Sequence, residues 1–276
     1  MKRLAALFLV GCSGAVDVVA RADTASGTPN GGTGVTNPPK PNEPTPTAAG
    51  ADACPMSPSG VAILTKALDV VRFDPAVKGV VDEGVLKCAP GPIAIDRNGT
   101  LYVAADGELS IAADGVCKPI GVAIGATPMA MAFVWNPQKM EERLYVLVSG
   151  TLLTVDPKTN ALTKVGPLLF PEVRSLGATI DGSLYAFATD ANDAVIEIGL
   201  VSAADATVLA TWGTKNPDGT RFGGGVPTAA GFELVFGPRS FTFQPATGAL
   251  TLHAPLFGSD PGIVSLATSP CSTSLK

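Results

Sequence analysis

Apolar residues alternate with polar ones in short runs along this chain, and the runs recur. An apolar-x-apolar triplet leading into a turn occurs as Val71-Arg72-Phe73 before Asp74-Pro75, Leu153-Thr154-Val155 before Asp156-Pro157, and Phe241-Thr242-Phe243 before Gln244-Pro245. Weaker copies are Leu109-Ser110-Ile111 and Ile196-Glu197-Ile198. The closing residues Phe73, Ile111, Val155, Ile198 and Phe243 are 38, 44, 43 and 45 positions apart. A second landmark keeps the same beat: Leu101-Tyr102-Val103, Leu144-Tyr145-Val146 and Leu184-Tyr185-Ala186, with Phe232 to Phe236 as a degenerate fourth copy. Around Ile111 a whole unit is legible. It runs from Gly91–Ile95 through a turn ending Asn98-Gly99 to Thr100–Ala104, then through Asp106-Gly107 to Glu108–Ala112 and on to Val116–Val122. Period-two alternation broken by Asn-Gly and Asp-Gly is the signal of antiparallel hairpins. No segment has helical periodicity with caps.

Four short strands repeating every 40–50 residues predict an all-β propeller. The 218 residues from Cys54 to Cys271 hold five such units, so five four-stranded blades are expected. The first unit has too few residues before Phe73 for four strands, whereas the tail supplies an unassigned alternating strand, Ile263 to Ala267. The N- and C-terminal strands are therefore expected to share the first blade, with the tail strand innermost. The run Ile93-Ala94-Ile95-Asp96-Arg97-Asn98-Gly99-Thr100-Leu101-Tyr102-Val103 resembles bacterial propeller repeats of the NHL and YVTN kind. That resemblance implies fold and says nothing of activity.

The first 53 residues follow other rules. Lys2 and Arg3 precede an apolar stretch, Leu4 to Val10, the layout of an export signal. Leu9-Val10-Gly11-Cys12 resembles the lipobox of bacterial lipoproteins, which implies cleavage before Cys12 and a diacylglycerol on its thiol. Ser13 at the next position implies, by the same resemblance, an outer-membrane address facing periplasm or cell surface. The expected division is a signal peptide over 1–11, a lipidated linker over 12–53 and the propeller over 54–276. Residues 13–53 contain no Leu, Ile, Phe, Met, Tyr or Trp and carry six prolines. Such a segment cannot bury enough apolar area to offset its chain entropy, so it reads as a flexible stalk with a reach of roughly 35 Å.

Charge and cysteines narrow the partners. The net charge is −5, which argues against nucleic acid, whose phosphates need a basic footprint. No run approaches 18 apolar residues, so the expected membrane contact is the acyl anchor alone. With Cys12 acylated, Cys54, Cys88, Cys117 and Cys271 remain, an even number suited to two disulfides in an exported protein. Three pairings are open, and Cys54–Cys271 with Cys88–Cys117 is preferred: the first would staple the shared blade, the second would join neighbouring strands. No C-x-x-C spacing supports zinc.

Candidate chemistry is sparse. His253, the only histidine, reads as an outer-strand residue near solvent, and no Gly-x-Ser-x-Gly elbow or phosphate-binding glycine loop accompanies it. Asp190, Asn192 and Asp193 suit a solvated turn better than a calcium loop. Propeller hydrolases similar to lactonases gather Glu, Asn and Asp from inner strands around an ion. Here the expected inner strands are apolar or small, with Glu172 and Arg174 as near exceptions, so no metal and no cofactor is expected. Trp135 is placed at a strand end and Trp212 against a neighbouring blade. The best ligand candidate is the long return Gly213–Gly225, offering Lys215, Asp218, Arg221 and Phe222, with Arg239 opening on the same face and Gly223-Gly224-Gly225 as a flexible lead-in to an inner strand. The function so read is a non-enzymatic binding or scaffold module of the cell envelope, its partner a protein or glycan, or a purely structural surface protein. The alternative is a metal-dependent, lactonase-like envelope hydrolase.

Overall fold

The computed structural model describes residues 60–74, 79–156, 158–217, 219–253 and 255–272. Among the described residues twenty strands follow one another. The first three are β1 (Val61–Thr65), β2 (Asp69–Asp74) and β3 (Gly79–Val85). Four complete blades come next. They are β4 (Ile93–Ile95), β5 (Leu101–Ala105), β6 (Glu108–Ala113) and β7 (Val116–Ala123); β8 (Ala130–Asn136), β9 (Glu141–Val148), β10 (Thr151–Asp156) and β11 (Ala161–Pro167); β12 (Glu172–Ala178), β13 (Leu184–Thr189), β14 (Val195–Val201) and β15 (Val208–Lys215); and β16 (Phe222–Thr228), β17 (Gly231–Phe236), β18 (Arg239–Gln244) and β19 (Ala249–Leu252). The last strand, β20 (Ile263–Ala267), pairs antiparallel with β1, giving the order β20-β1-β2-β3. The fold is a five-bladed propeller of four-stranded antiparallel sheets, and the C-terminal strand is the inner strand of the first blade, as the sequence predicts.

The core is not one cluster but five, one at each junction between blades. Ile93, Val103 and Leu64 pack between the first and second blades, and Tyr102, Phe133 and Leu144 between the second and third. Tyr145 with Val173 and Ala186 fills the next junction, and Phe187 with Phe232 and Leu234 the one after. Val61, Phe73, Val226 and Leu266 close the ring. This explains the tyrosine landmark. Tyr102 packs at a tilt on Phe133 at 4.8 Å, Tyr145 donates to the Ala203 carbonyl at 3.1 Å, and Tyr185 meets Phe232 edge-on at 5.0 Å. Each tyrosine sits on the second strand of its blade and reaches the following blade, joining an apolar body to a polar tip.

Outer strands lean toward the next blade and meet its outer hairpin. The Asn160 side chain donates to the Ile120 carbonyl at 2.9 Å, and the Lys87 amide to the Gly115 carbonyl at 2.7 Å. The Cys88–Cys117 disulfide, with Cα atoms 5.8 Å apart, reinforces this last contact. It is formed as predicted, but it does not join neighbouring strands. Cys88 lies on the connection from β3 to β4 and Cys117 on the outermost strand β7, so the bond ties the segment leaving the first blade to the edge of the second. Cys271 is also disulfide-bonded; Cys54, its preferred partner, and Cys12 lie outside the described residues.

One expectation about the inner strands is corrected. Gly223-Gly224-Gly225 is not a lead-in but part of β16, which bulges between Phe222 and Gly224. The reason is crowding at the axis. A Cβ on Gly225 would sit 2.4 Å from Phe187 and 2.8 Å from Leu234, and Gly224, at φ +139°, lies against Ser175 and Leu266. Ser175 Oγ fills the space, donating to the Gly225 carbonyl at 2.6 Å and accepting from the Gly225 amide at 2.8 Å.

Candidate ligand site at the mouth of the axis

All five inner strands begin at the same end of the ring. The returns from outer to inner strands, and the hairpins joining second to third strands, gather there. Among them the chain forms a cavity of about 240 Å3 at the start of the central channel. Its charged wall residues are Glu172 and Arg174 from β12 and Arg221 just before β16. Met129, Val173, Ile263 and Val264 supply its apolar wall. A smaller recess adjoins it, bounded by Lys66, Arg221, Gly237 and Asp260.

Local chemistry fixes these groups. Arg174 is held by Glu172 at 3.0 Å, on its own strand, and reaches Asp193, on the β13–β14 hairpin, only at 3.7 Å. Its Nε and the Asp193 Oδ1 are buried and find no hydrogen-bond partner among the described residues. Buried polar atoms are nearly always paired, so this corner of the mouth is under-satisfied. Asn216 Nδ2 donates to the carbonyls of Asp193 and Thr220, both at 2.7 Å, and its Oδ1 accepts from the Gly219 amide at 3.0 Å. The Gly237 amide donates to the Arg221 carbonyl at 3.0 Å, docking the β17–β18 hairpin onto the return.

The predicted ligand residues are thereby sorted. The return from β15 to β16 is only 216–221, because strands claim both ends of Gly213–Gly225. Arg221 is exposed and lines the cavity. Arg239 is exposed at the start of β18, on the same end of the ring, and Lys215 is exposed at the end of β15. Phe222 is 1% exposed and packs on Phe236 at 5.2 Å, so it is a core residue that also borders the cavity. Asp218 lies outside the described residues. Sequence reasoning noted Glu172 and Arg174 without assigning them here and missed Lys66 and Asp260. Lys66 could have been found from register, since it occupies in the first blade the hairpin that Arg239 borders in the fifth.

Other predicted positions fall elsewhere. Asp190 Oδ1 accepts from the amides of Ala194 and Val195, so it shapes a turn. Trp212 packs on Phe232 of the next blade at 5.8 Å. Trp135 is one residue from the end of β8 and carries the Arg97 guanidinium over its ring at 4.7 Å. His253 is not near solvent: it turns in between the fifth and first blades, beside Phe73, with its side chain 10% exposed and its Nε2 3.5 Å from the fully buried Glu233 carboxylate. Thr242 Oγ1 bridges the two, at 3.0 Å from Glu233 and 2.6 Å from His253. Burial raises the Glu233 carboxyl above its ordinary range, against the pull of Ser240, His253 and Thr242. At the far end of the ring, Glu142 accepts from the Arg97 amide at 2.9 Å. Burial first and the neighbouring Asp96 second push its carboxyl up to about 7, and the same surroundings push Tyr102 up to about 12. Among the described residues no group of three or more His, Cys, Asp or Glu is placed to hold a metal ion.

No family model and no curated protein matches this chain. Solved structures do resemble it. A hydrazine synthase chain of Kuenenia stuttgartiensis is 15% identical over 70% of this chain and 62% of its own, with a TM-score of 0.45. A chain of a nidogen/laminin complex is 12% identical over 78% and 86%, with a TM-score of 0.48. Virginiamycin B lyase from Staphylococcus aureus is 12% identical over 71% and 69%, with a TM-score of 0.40. The present chain thus spans less than two thirds of the hydrazine synthase chain. Its class, a five-bladed β-propeller, rests on its own sheet order.

Proposed function

We propose that this chain is an envelope lipoprotein, acylated on Cys12, whose propeller binds a ligand or partner at the mouth of its axis without turning it over. One observation carries the reading: the cavity of about 240 Å3, where Glu172, Arg174 and Arg221 converge on an otherwise apolar channel. Charged groups on a rigid ring, aimed at a concavity, are what a binding site needs. The topology supports the tether. Thr65 pairs with Ile263 at the mouth and Ala62 with Ala267 at the far end, so β1 starts on the side away from the cavity. Whatever precedes Gly60 joins the ring there, and the mouth is turned away from the point of attachment. The outer-membrane address and an envelope partner, protein or glycan, belong to the same proposal.

Two measurements test it. Detergent phase partitioning of the full chain made in a bacterial host should send the wild type to the detergent phase and Cys12→Ala to the aqueous phase; equal partitioning removes the anchor. A thermal-shift screen of small acids, bases, glycans and peptides should find ligands whose effect is lost in Arg221→Glu and kept in Lys139→Glu, on the opposite face. Ligands insensitive to Arg221→Glu, or none at all, remove the mouth as the site.

A further inference from the structure

The mouth also has a definite chemical preference, which rests on the binding reading above. The molecule as a whole is acidic, at −5, yet the charged residues lining the cavity are one carboxylate and two guanidiniums, a local +1. Arg221 is exposed and makes no ion pair with any described residue. Arg174 is only partly used: one Nη is held by Glu172 at 3.0 Å, the other is 3.7 Å from Asp193, beyond hydrogen-bond range, and Nε has no partner. Guanidiniums from two adjacent blades therefore face one small space with donors to spare. Arginine is suited to planar anions that accept two hydrogen bonds at once.

The rest of the wall sets the size and the charge. Met129, Val173, Ile263 and Val264 give the cavity an apolar lining beside the arginines. Met129 is 43% exposed, so that lining extends onto the rim. The volume is below the roughly 300–1,000 Å3 of pockets for drug-sized ligands, so the space takes a small molecule or the terminal group of a longer one. Glu172 lies in the same wall and repels a second negative charge on the ligand. We infer that the axial cavity binds a monocarboxylate carrying a short branched or linear apolar group, its carboxylate between Arg174 and Arg221 and its apolar part against Val173, Ile263 and Val264. Dianions and phosphate are disfavoured by Glu172. The carboxylate could come from a free short-chain acid or from the C-terminal residue of a peptide, and both present the same group to the site.

Isothermal titration calorimetry on the soluble form of the full chain, Cys12→Ala, distinguishes the sources. The probes are 4-methylpentanoate and its amide, a pentapeptide ending in a free leucine carboxylate, and the same peptide amidated. The acid forms should bind at least tenfold more tightly than the amides, since a hydrogen-bonded charge is lost. Tighter binding of the peptide acid than of 4-methylpentanoate assigns the site to chain ends, and the reverse assigns it to free acids. Arg221→Gln should weaken the acid about tenfold. Arg174→Lys, which keeps the charge and can still pair with Glu172, should weaken it by a similar factor, while Glu172→Gln should admit a dicarboxylate that the wild type rejects. Amides binding as well as acids would overturn the inference. If the acids fail while the screen above yields other Arg221-dependent ligands, the carboxylate class falls and the binding reading stands; if the mouth binds nothing, both fall.

Discussion

Replacing Glu142 with glutamine should make the propeller less sensitive to pH, and the size of the effect follows from where that carboxyl sits. Glu142 is the second residue of β9, half-buried against the Asp96–Thr100 turn of the preceding blade. It accepts the Arg97 amide at 2.9 Å, beside an Asp96 carboxylate whose Oδ1 is committed to the amides of Asn98 and Thr100. Burial and that second carboxylate both disfavour the ionised form, which moves the carboxyl from 4.5 to about 7. A folded-state value raised above the unfolded one means the native protein holds a proton that the unfolded chain has released. The stability contributed by neutral Glu142 is complete below about 4.5 and is lost as pH rises through about 7. At 1.36 kcal/mol per unit the loss is about 3 kcal/mol, and solvent at the half-buried carboxyl reduces it to about 2 kcal/mol. Glutamine keeps the acceptor for the Arg97 amide and carries no charge. Urea unfolding at pH 5 and pH 8 should show Glu142→Gln close to the wild type at the lower pH and about 2 kcal/mol more stable at the higher one. Carboxyls remote from Glu142 contribute alike to both proteins and cancel in the difference. Parallel stability profiles across that window, or a variant that is weaker at pH 8, would refute the reasoning.

Three other outcomes follow from the packing. Gly225→Ala should cost about 2 kcal/mol or more by thermal unfolding, because its methyl would meet Phe187 and Leu234 inside van der Waals contact. Removing the Cys88–Cys117 bond as the double serine variant should cost about 3.6 kcal/mol by denaturant titration, the loop-closure value for a separation of 29 residues, and should raise protease sensitivity at the junction of the first two blades. His253→Ala should cost about 1–3 kcal/mol by urea unfolding, because the buried Glu233 carboxyl loses the imidazole that faces it.

Architecture was legible because each blade repeats the same solution to the same problem. A second-strand residue must be apolar enough to fill a junction, and Tyr102, Tyr145 and Tyr185 mark three of them in plain sequence. Blade count and closure followed from spacing and from the spare strand Ile263–Ala267. The site was less legible for two physical reasons. Glycine carries no hydropathy signal, so Gly223 to Gly225 read as a loop although axial crowding demands them inside a strand. The mouth is also assembled from residues far apart in sequence, Lys66, Glu172, Arg174, Arg221 and Asp260, which only the ring brings together. His253 was misplaced because alternation in Leu252-His253-Ala254 continues a strand that in fact ends at Leu252.

The junction that closes the ring is chemically unlike the others, and the register says why. Tyr145 faces Thr154 on the third strand of its blade and Ala132 on the first; in the fifth blade the residue between Thr242 and Val226 is Glu233. A buried carboxyl thus occupies the place where the second, third and fourth blades put a tyrosine, and His253, Thr242 and Phe73 surround it. At this junction alone the blade being reached, the first, is built from both ends of the domain, β20 and β1. An apolar contact holds two surfaces together in many registers, whereas a carboxyl hydrogen-bonded to a threonine and faced by an imidazole tolerates few. The polar group therefore sits where docking must be specific, because no continuous chain guides the last strand to its place.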